Sequence, residues 1–416
     1  MKLGPGGKVI AAGMIANVLE WYDFSVYGYF AASIGFNFFP RQDRVAQLLA
    51  AFAVFALGYL VRPIGGALIG HVGDHYGRRA ALTVSVTAMA VPTFLVGLLP
   101  GYATLGLLAP VLLVLLRMVQ GLSVGGEYTS SMVFLVERAA AGRRGLAGAI
   151  AACGSGVGTL LGSGVGATIA GLMTTETLDA WGWRIPFLLG LVVGVIGFIL
   201  RRQVTEFAPA KSGERSPIVE TLRDHWRLVL RLAALSVFNG VSFYVMFLYV
   251  ASWLQTADGI SPAHALEINT ISMVTLLPAL LVSGVLSDRY GRKPVLMLST
   301  AFAVVLAWPV FWLMYHPSPA LILAGQIALG IIIAFYGGTQ ATTMVESAPP
   351  RIRCTAVALG YNTTLAVFGG LSPLVATWLV GRTADELAPA YLIMVAAAVS
   401  FLASSRIKET YLKPID

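Results

Sequence analysis

The sequence predicts an all-α membrane protein whose twelve transmembrane helices form two pseudo-symmetric six-helix bundles. Composition, the placement of basic residues and an internal repeat support this fold class. Of the 416 residues, 57% are hydrophobic and 12% are charged, whereas soluble domains usually carry about 25% charged residues. A membrane span needs about 20 mainly apolar residues, and such runs recur along almost the whole chain.

The apolar runs define the predicted helices, which we number α1 to α12 in chain order. A hydrophilic stretch rich in proline, glycine and charge follows α6. It predicts a cytoplasmic linker, 202–227, between an N-terminal bundle, 1–201, and a C-terminal bundle, 228–416. The predicted helices lie at residues 10–38, 45–71, 79–99, 104–137, 145–173, 184–201, 228–256, 262–286, 294–315, 319–347, 353–381 and 387–405.

The basic residues indicate the orientation of these helices. Of 28 Lys and Arg residues, 22 fall in the termini and in loops on one side of the predicted membrane. By the positive-inside rule this side is cytoplasmic, which requires an even number of spans. The net charge of +8 therefore reflects membrane topology rather than a nucleic-acid partner. We expect a multi-pass protein of the cell inner membrane with both termini in the cytoplasm.

Two pairs of loops repeat between the halves. GHVGDHYGRR at 70–79 follows α2, and GVLSDRYGRK at 284–293 follows α8. VERAAAGRRG at 136–145 and VESAPPRIRC at 345–354 follow α4 and α10. Repeats of this kind are a recurrent transporter design, with the binding site near the midplane between the halves.

Polar side chains on α1 form the first candidate site. Asn17, Glu20, Asp23 and Tyr27 are spaced at three and four residues, which places them on one helix stripe. Like charge and desolvation both raise a carboxyl pKa, so Glu20 or Asp23 is a candidate proton carrier. The alternative is that both acids only form ion pairs with arginines elsewhere in the bundle.

A stripe on α4 supplies the second candidate site. Arg117, Gln120 and Glu127 fall on one face of the helix. A guanidinium offers a charged, planar fork to a carboxylate, which makes Arg117 the first candidate to hold an anionic substrate. The alternative is a standing salt bridge to an acid nearby. Glu127 is a rival proton carrier.

The C-terminal half offers hydrogen bonds and aromatic rings but no charge at mid-membrane. Asn239 and Tyr244 of α7, and Tyr336 and Gln340 of α10, join Asn17, Tyr27, Arg117 and Gln120 as the candidate substrate-binding residues. Aromatic walls of this kind also bind quaternary ammonium groups by cation–π attraction. A betaine-like zwitterion is therefore an alternative substrate.

Five stretches resemble the major facilitator superfamily, and more closely its metabolite:proton symporter branch. They are NVLEWYDFSVYG, RPIGGALIGHVGDHYGRR, RMVQGLSVGGEY, WGWRIPF and SDRYGRK. The resemblance implies the major facilitator fold, alternating access and uptake driven by protons. Carriers of this branch include 2-oxoglutarate, citrate, shikimate and proline/betaine permeases.

A cytoplasmic gate is also expected. Glycine permits tight turns at the repeated loops, where acids and arginines can bridge neighbouring helix ends. The same RP-x-GG stretch occurs in carriers of very different solutes, so Arg62 is assigned to structure or gating. The complete predicted gating set is Arg62, Asp74, Arg78, Arg79, Glu137, Arg144, Asp288, Arg292, Glu346 and Arg353.

The expected function is proton-coupled import of a small carboxylate-bearing metabolite, such as a di- or tricarboxylate or a related organic acid. The arginine at position 117 resembles the pattern of the dicarboxylate permeases, because the osmolyte carriers have lysine at the corresponding position. The alternative is a proton symporter for zwitterionic proline or betaine. We expect a monomer with protons as the coupling ion, no cofactor and no metal. No histidine lies at a catalytic or ligand-motif spacing, which argues against an enzyme.

Overall fold

The computed structural model describes residues 17–18, 20–40, 43–76, 78–124, 127–201 and 217–413. Every regular element within these ranges is helical. The twelve helices are α1 at 17–18 and 20–38, α2 at Arg44–Leu60 and Arg62–Tyr76, α3 at Arg78–Leu98, α4 at Leu108–Ser123 and Glu127–Arg138, α5 at Arg144–Leu172, α6 at Ile185–Arg201, α7 at Trp226–Ala257, α8 at Pro262–Tyr290, α9 at Arg292–Met314, α10 at Pro319–Ser347, α11 at Arg353–Thr364 and Ser372–Thr383, and α12 at Ala388–Ser405.

These bounds confirm the predicted all-α fold of twelve helices. Among the described residues, nine helices are long and apolar enough to cross a membrane. The helices α3 and α6 contain shorter apolar stretches, Thr83–Leu98 and Gly182–Ile196. The predicted linker includes a short helix, Pro217–Asp224, and residues 202–216 of that linker lie outside the described part.

Local sequence explains where several helices begin. The Asp43 carboxylate accepts a 2.9 Å hydrogen bond from the backbone N–H of Val45 at the start of α2. Ser261 caps α8 in the same way, and Pro262 occupies its first turn, where its missing N–H costs nothing. The turn into α9 contains Gly291 at φ +99°, a conformation that favours glycine.

The α5 and α8 helices form the most extensive contact between the halves, and α2 packs against α11. Small residues of α5, which recur from 154 to 171, permit this approach. A Cβ atom at Gly158 would lie 2.5 Å from the Val18 carbonyl oxygen of α1. A Cβ atom at Gly156 would lie 2.8 Å from Leu277 of α8.

Two helices of the C-terminal half contain π-helical turns. Val245–Tyr249 interrupts α7, and Leu365–Gly369 interrupts α11. Such turns are rare and occur frequently at functional sites. Here both lie beside the interface with the N-terminal half, since Leu248 approaches Gly28 of α1 and Gly370 approaches Tyr59 of α2.

Candidate functional site

Two buried ion pairs connect helices of the N-terminal half. Glu20 of α1 lies 3.4 Å from Arg62 of α2, and Asp23 of α1 lies 3.4 Å from Arg117 of α4. Arg117 is fully buried, and the other three side chains are at most 6% exposed. Buried charges are costly unless they are paired and hydrogen-bonded. Each acid on the α1 stripe therefore has its own arginine.

Asp23 is the centre of a hydrogen-bond network. The Thr93 hydroxyl of α3 donates to Asp23 Oδ1 at 2.5 Å, and Gln120 Nε2 donates to both carboxylate oxygens at 3.1 Å. Arg117 Nη1 donates to Gln120 Oε1 at 2.9 Å. Sequence reasoning missed Thr93, because a single hydroxyl in an apolar helix has no distinctive pattern.

Aromatic rings enclose both guanidinium groups. Arg62 Cζ lies 3.8 Å from the ring centre of Tyr59 and 4.1 Å from that of Phe24. Arg117 Cζ lies 4.0 Å from the ring centre of Tyr27. Desolvated cation–π contacts are worth about 2 kcal/mol each. The rings therefore help to hold both arginines inside the bundle.

A cavity lies between the two halves. Its volume, counted as the space open to the centre of a water molecule, is about 30 Å³. That space suffices for water molecules. The lining residues come from α1, α4 and α5 on one side and from α7, α8, α10 and α11 on the other.

Five aromatic residues form much of the cavity wall: Trp21, Tyr128, Phe243, Tyr244 and Tyr361. The Trp21 ring centre lies 5.4 Å from that of Phe243 and 5.9 Å from that of Tyr244. The rings of Tyr128 and Tyr361 are 5.0 Å apart. The hydroxyl of Tyr244 donates to that of Tyr59 at 2.7 Å, which connects the cavity wall to the aromatic residues around Arg62.

Asn239 and Tyr244 are the predicted substrate-binding residues that line this cavity. Asn17 is fully buried in α1. Arg117, Gln120 and Tyr27 lie within the N-terminal half, where the Tyr27 hydroxyl donates to the Ala51 carbonyl oxygen at 3.0 Å. None of these four residues is part of the cavity lining.

Two further candidates lie inside the C-terminal half. The Tyr336 hydroxyl donates to the Leu235 carbonyl oxygen at 2.6 Å, and Gln340 Nε2 donates to Ser236 Oγ at 2.9 Å. Their polar atoms therefore tie α10 to α7 away from the cavity. The Glu127 backbone is helical, but its side chain lies outside the described part of the structure.

The predicted gate residues meet at the end of the bundle that contains the loops at 138–144, 290–292 and 347–353, which we call the basic end. Asp288 accepts hydrogen bonds from the backbone N–H groups of Gly145 and Leu146, at 2.8 and 2.9 Å. Gly145 and Leu146 belong to the first turn of α5, so an acid of the C-terminal half caps a helix of the N-terminal half. Arg353 pairs with Glu137 across the halves at 2.6 Å.

Other contacts at the basic end lie within the C-terminal half or involve the segment after α12. Arg292 pairs with Asp288 at 2.9 Å and with Glu346 at 3.0 Å. Arg144 donates to the Lys413 carbonyl oxygen at 2.6 Å. The side chains of three predicted gate residues lie outside the described part: Asp74, Arg78 and Arg79.

The Glu409 carboxylate accepts hydrogen bonds from the backbone N–H groups of Arg292 and Lys293, both at 3.0 Å. Burial raises the pKa of Glu409, but these backbone hydrogen bonds and those from Thr410 and Tyr411 bring it below the ordinary value. The segment after α12 thus holds the start of α9. Sequence reasoning missed this contact, since a single acid in a short polar segment has no distinctive pattern.

The opposite end of the interface is closed by neutral groups. Asn269 Nδ2 of α8 donates to Ser163 Oγ of α5 at 3.0 Å, and Ser163 Oγ lies 2.8 Å from Thr270 Oγ1. Gln326 Nε2 of α10 donates to Asn269 Oδ1 at 2.8 Å. Both ends of the cavity are therefore bridged by contacts between the halves. Within the described residues no group of three or more His, Cys, Asp or Glu is placed to hold a metal ion.

The fold and the cavity between paired half-bundles define a secondary-transporter architecture. The chain matches the Major Facilitator Superfamily over residues 13–373 and 232–409. It belongs to this superfamily and is a membrane transporter rather than an enzyme. Its resemblance to the branch that includes the proline/betaine permeases is confirmed, because proline/betaine transporters are among its relatives.

Transporters of proline and betaine are among the relatives that match in sequence. The proline/betaine transporter of Salmonella typhimurium is 36% identical over 98% of this chain and 84% of its own length. The glycine betaine/proline/ectoine/pipecolic acid transporter OusA of Dickeya dadantii shows the same identity and coverage. These relatives favour the zwitterion alternative over the expected import of a carboxylate-bearing metabolite, which they do not support.

A solved structure agrees in fold. The crystal structure of a D-xylose-proton symporter superposes with a TM-score of 0.77 at 19% identity, covering 98% of this chain and 99% of the other.

Arg117 was the main reason for expecting an anionic substrate. The structure places this arginine in an ion pair with Asp23 and off the cavity.

Proposed function

We propose that this protein is a proton-coupled importer of a small zwitterionic osmolyte of the betaine or proline type. The cavity between the halves is the proposed substrate site, and alternating access exposes it to one side of the membrane at a time. The single observation that carries the choice of substrate is the 36% identity to proline/betaine transporters across 98% of this chain.

The cavity wall supports a quaternary or secondary ammonium group as one end of the substrate. Trp21, Phe243 and Tyr244 present three rings within 6 Å of one another. An ammonium group against desolvated rings gains about 2 kcal/mol per good contact. The α1 and α7 helices supply these rings from opposite halves, so a bound cation stabilises their approach.

The balance of buried charge also supports a substrate with no net charge. Arg62 and Arg117 each pair with an acid in the N-terminal half. Among the described residues that line the cavity there is no Lys, Arg, Asp or Glu. A dicarboxylate would bring two charges into this space without a counter-charge in the lining, and burying unpaired charge is costly. A zwitterion avoids most of that cost.

Proton coupling is assigned to the α1 acids. Protonating Asp23 removes the charge that Arg117 faces, so Thr93, Gln120 and Arg117 must rearrange around a neutral carboxyl. A proton-dependent rearrangement between α1, α3 and α4 is what a symporter needs to link occupancy to conformation. Glu20, next to the cavity residue Trp21, and Glu127 are the other proposed carriers.

The proposed setting is the cell inner membrane, with the basic end in the cytoplasm and the protein acting as a monomer.

The experiment that tests the substrate is uptake into proteoliposomes of labelled glycine betaine, proline, 2-oxoglutarate and citrate under an inward proton gradient. We expect uptake of betaine or proline and none of either organic acid. Uptake restricted to 2-oxoglutarate or citrate would overturn the proposal.

A paired variant locates the substrate site. Phe243→Leu removes one ring of the cavity wall and should raise the KM for betaine by about tenfold or more. Phe311→Leu is the matched control, because Phe311 is fully buried against Trp253 in the C-terminal half and does not line the cavity. Equal effects of both changes on KM would remove the cavity from the proposal.

A further inference from the structure

Two N–H donors of the cavity wall have no hydrogen-bond partner among the described residues. The indole Nε1 of Trp21 is buried without an acceptor, although Trp21 is only 5% exposed. The Asn239 side-chain amide forms no hydrogen bond to any residue in the described ranges. Trp21 belongs to α1 and Asn239 to α7, so the two donors come from opposite halves.

Other polar groups of the same wall are satisfied within the protein. The Tyr244 hydroxyl donates to Tyr59 at 2.7 Å, and the Ser155 hydroxyl donates to the Ala152 carbonyl oxygen at 2.7 Å. Buried polar groups without partners are uncommon in native structures, and each calls for an explanation. Trp21 Nε1 is such a group, and the half-buried Asn239 amide lines the same cavity, so the two donors together indicate an acceptor that binds there.

We infer that the indole N–H of Trp21 and the amide of Asn239 together bind the carboxylate of the zwitterionic substrate. This inference rests on the proposed function. A carboxylate accepts up to about four hydrogen bonds and has no donor of its own, so it matches two N–H groups. The ammonium end then lies against the aromatic rings, which include Phe243 and Tyr244.

The assignment explains how a carboxylate binds without a free arginine in the lining. Arg62 and Arg117 keep their acids, and neutral donors recognise the anion. Hydrogen bonds to a charged group are stronger than those between neutral groups. A site that depends on them rejects an analogue that lacks the acceptor, because its buried donors then stay unpaired. The protein should accordingly prefer betaine to choline, which has the same ammonium group but no carboxylate.

Binding across the halves also links the substrate to closure. A carboxylate held by Trp21 and Asn239 bridges α1 and α7, next to the ring contact of 5.4 Å between Trp21 and Phe243. A ligand shifts a conformational equilibrium only by its differential affinity for the two states. The bridge exists only when the halves approach, so the carboxylate favours the closed form.

The test measures binding of glycine betaine and choline to the purified full chain in detergent by calorimetry. Trp21→Phe keeps a ring but removes the N–H, and Asn239→Leu replaces the amide with an apolar group of comparable size. Asn239→Asp adds a negative charge at the same place. Thr300→Ala is the matched control, since its buried hydroxyl already donates to the Leu296 carbonyl oxygen and does not line the cavity. Elution as a single species in gel filtration establishes that each variant is folded.

We expect Trp21→Phe and Asn239→Leu each to weaken betaine binding by about tenfold or more, with choline binding unchanged. Asn239→Asp should weaken betaine binding further, and Thr300→Ala should match the wild type. If betaine binds to the wild type and both neutral variants keep its affinity and its preference over choline, the carboxylate site is wrong and the proposed function stands. If neither betaine nor proline binds to the wild type, the proposed function itself is wrong.

Discussion

The carboxylate of Asp288 in α8 accepts a 2.8 Å hydrogen bond from the backbone N–H of Gly145 at the start of α5. An acid at a helix N-terminus normally caps its own helix, whereas this one caps a helix of the other half. The contact exists only while the basic end is closed. It is therefore a direct link between helix stability and the conformational state of the transporter.

Asp288→Ala should favour conformations that are open at the basic end. Loss of an N-terminal cap costs about 1 kcal/mol, which corresponds to a several-fold shift of the equilibrium. Cys153 of α5 is buried, with its Sγ 3.8 Å from the Leu277 carbonyl oxygen of α8, and serves as a native reporter of this interface. We expect several-fold faster labelling of Cys153 by a membrane-permeant thiol reagent in a Cys354→Ser background.

Asp43→Ala is the control for this change. Asp43 caps α2 through a 2.9 Å hydrogen bond to the N–H of Val45, within its own half. In the Asp43→Ala variant, Cys153 should be labelled at the wild-type rate. Equal labelling in the Asp288 and Asp43 variants would show that the cap between halves does not hold the gate.

The Asp23 and Arg117 pair yields a prediction about coupling. Asp23→Asn leaves the Arg117 guanidinium buried without its counter-charge, which costs about 3–5 kcal/mol. We expect loss of gradient-driven uptake and a lower unfolding temperature. The double variant Asp23→Asn with Arg117→Gln should recover most of the unfolding temperature but no gradient-driven uptake. Gradient-driven uptake by the double variant would show that Asp23 does not carry the coupled proton.

The loop after α7 contains an acid that should make stability depend on pH. Burial, and secondly the charge of Glu386, raise the pKa of Asp258 to about 6, although His316 lowers it. Because the folded protein binds this proton more tightly than the unfolded chain, its stabilising effect is complete at low pH. The effect is lost as the pH rises from about 4 to about 6.

Asp258→Asn removes this titration. The unfolding temperature of the variant should rise relative to the wild type between pH 4.5 and pH 6.5, and the difference should stay constant above that range. Differential scanning fluorimetry in detergent measures it. A constant difference across the whole range would show that Asp258 titrates as it does in the unfolded chain.

The small residues of α5 provide a packing test with a control in the same helix. Gly158→Ala places a Cβ atom 2.5 Å from the Val18 carbonyl oxygen, whereas a Cβ atom at Gly171 meets no atom within 4 Å. Overpacking typically costs about 1–3 kcal/mol. Gly158→Ala should lower the unfolding temperature, and Gly171→Ala should not. Alanine has the higher helix propensity, so a drop in both variants would show that the α1 contact is not the specific cause.

The sequence predicts the helices well because length and apolarity determine a membrane span. The bounds of α10, Pro319–Ser347, agree residue for residue with the prediction. The break at Val61 and the π-helical turns Val245–Tyr249 and Leu365–Gly369 were not predicted. These features depend on how neighbouring helices pack, and hydropathy does not contain that information.

The candidate site was predictable only in part, because it also depends on how neighbouring helices pack. The acids and arginines in apolar helices are conspicuous, and the ion pairs of Glu20 and Asp23 were among the stated alternatives. Which arginine meets which acid depends on the arrangement of α1, α2 and α4. The gate pairs show this, because Glu137 meets Arg353 of the other half and Glu346 meets Arg292.

The measurement that tests the central claim most directly is accumulation of labelled glycine betaine in proteoliposomes, with and without an inward proton gradient. The account predicts accumulation above the external concentration only with the gradient, and its collapse when a protonophore is added. It also predicts that a hundredfold excess of citrate does not compete. Betaine accumulation that is indifferent to the gradient, or uptake of citrate in place of betaine, would contradict it.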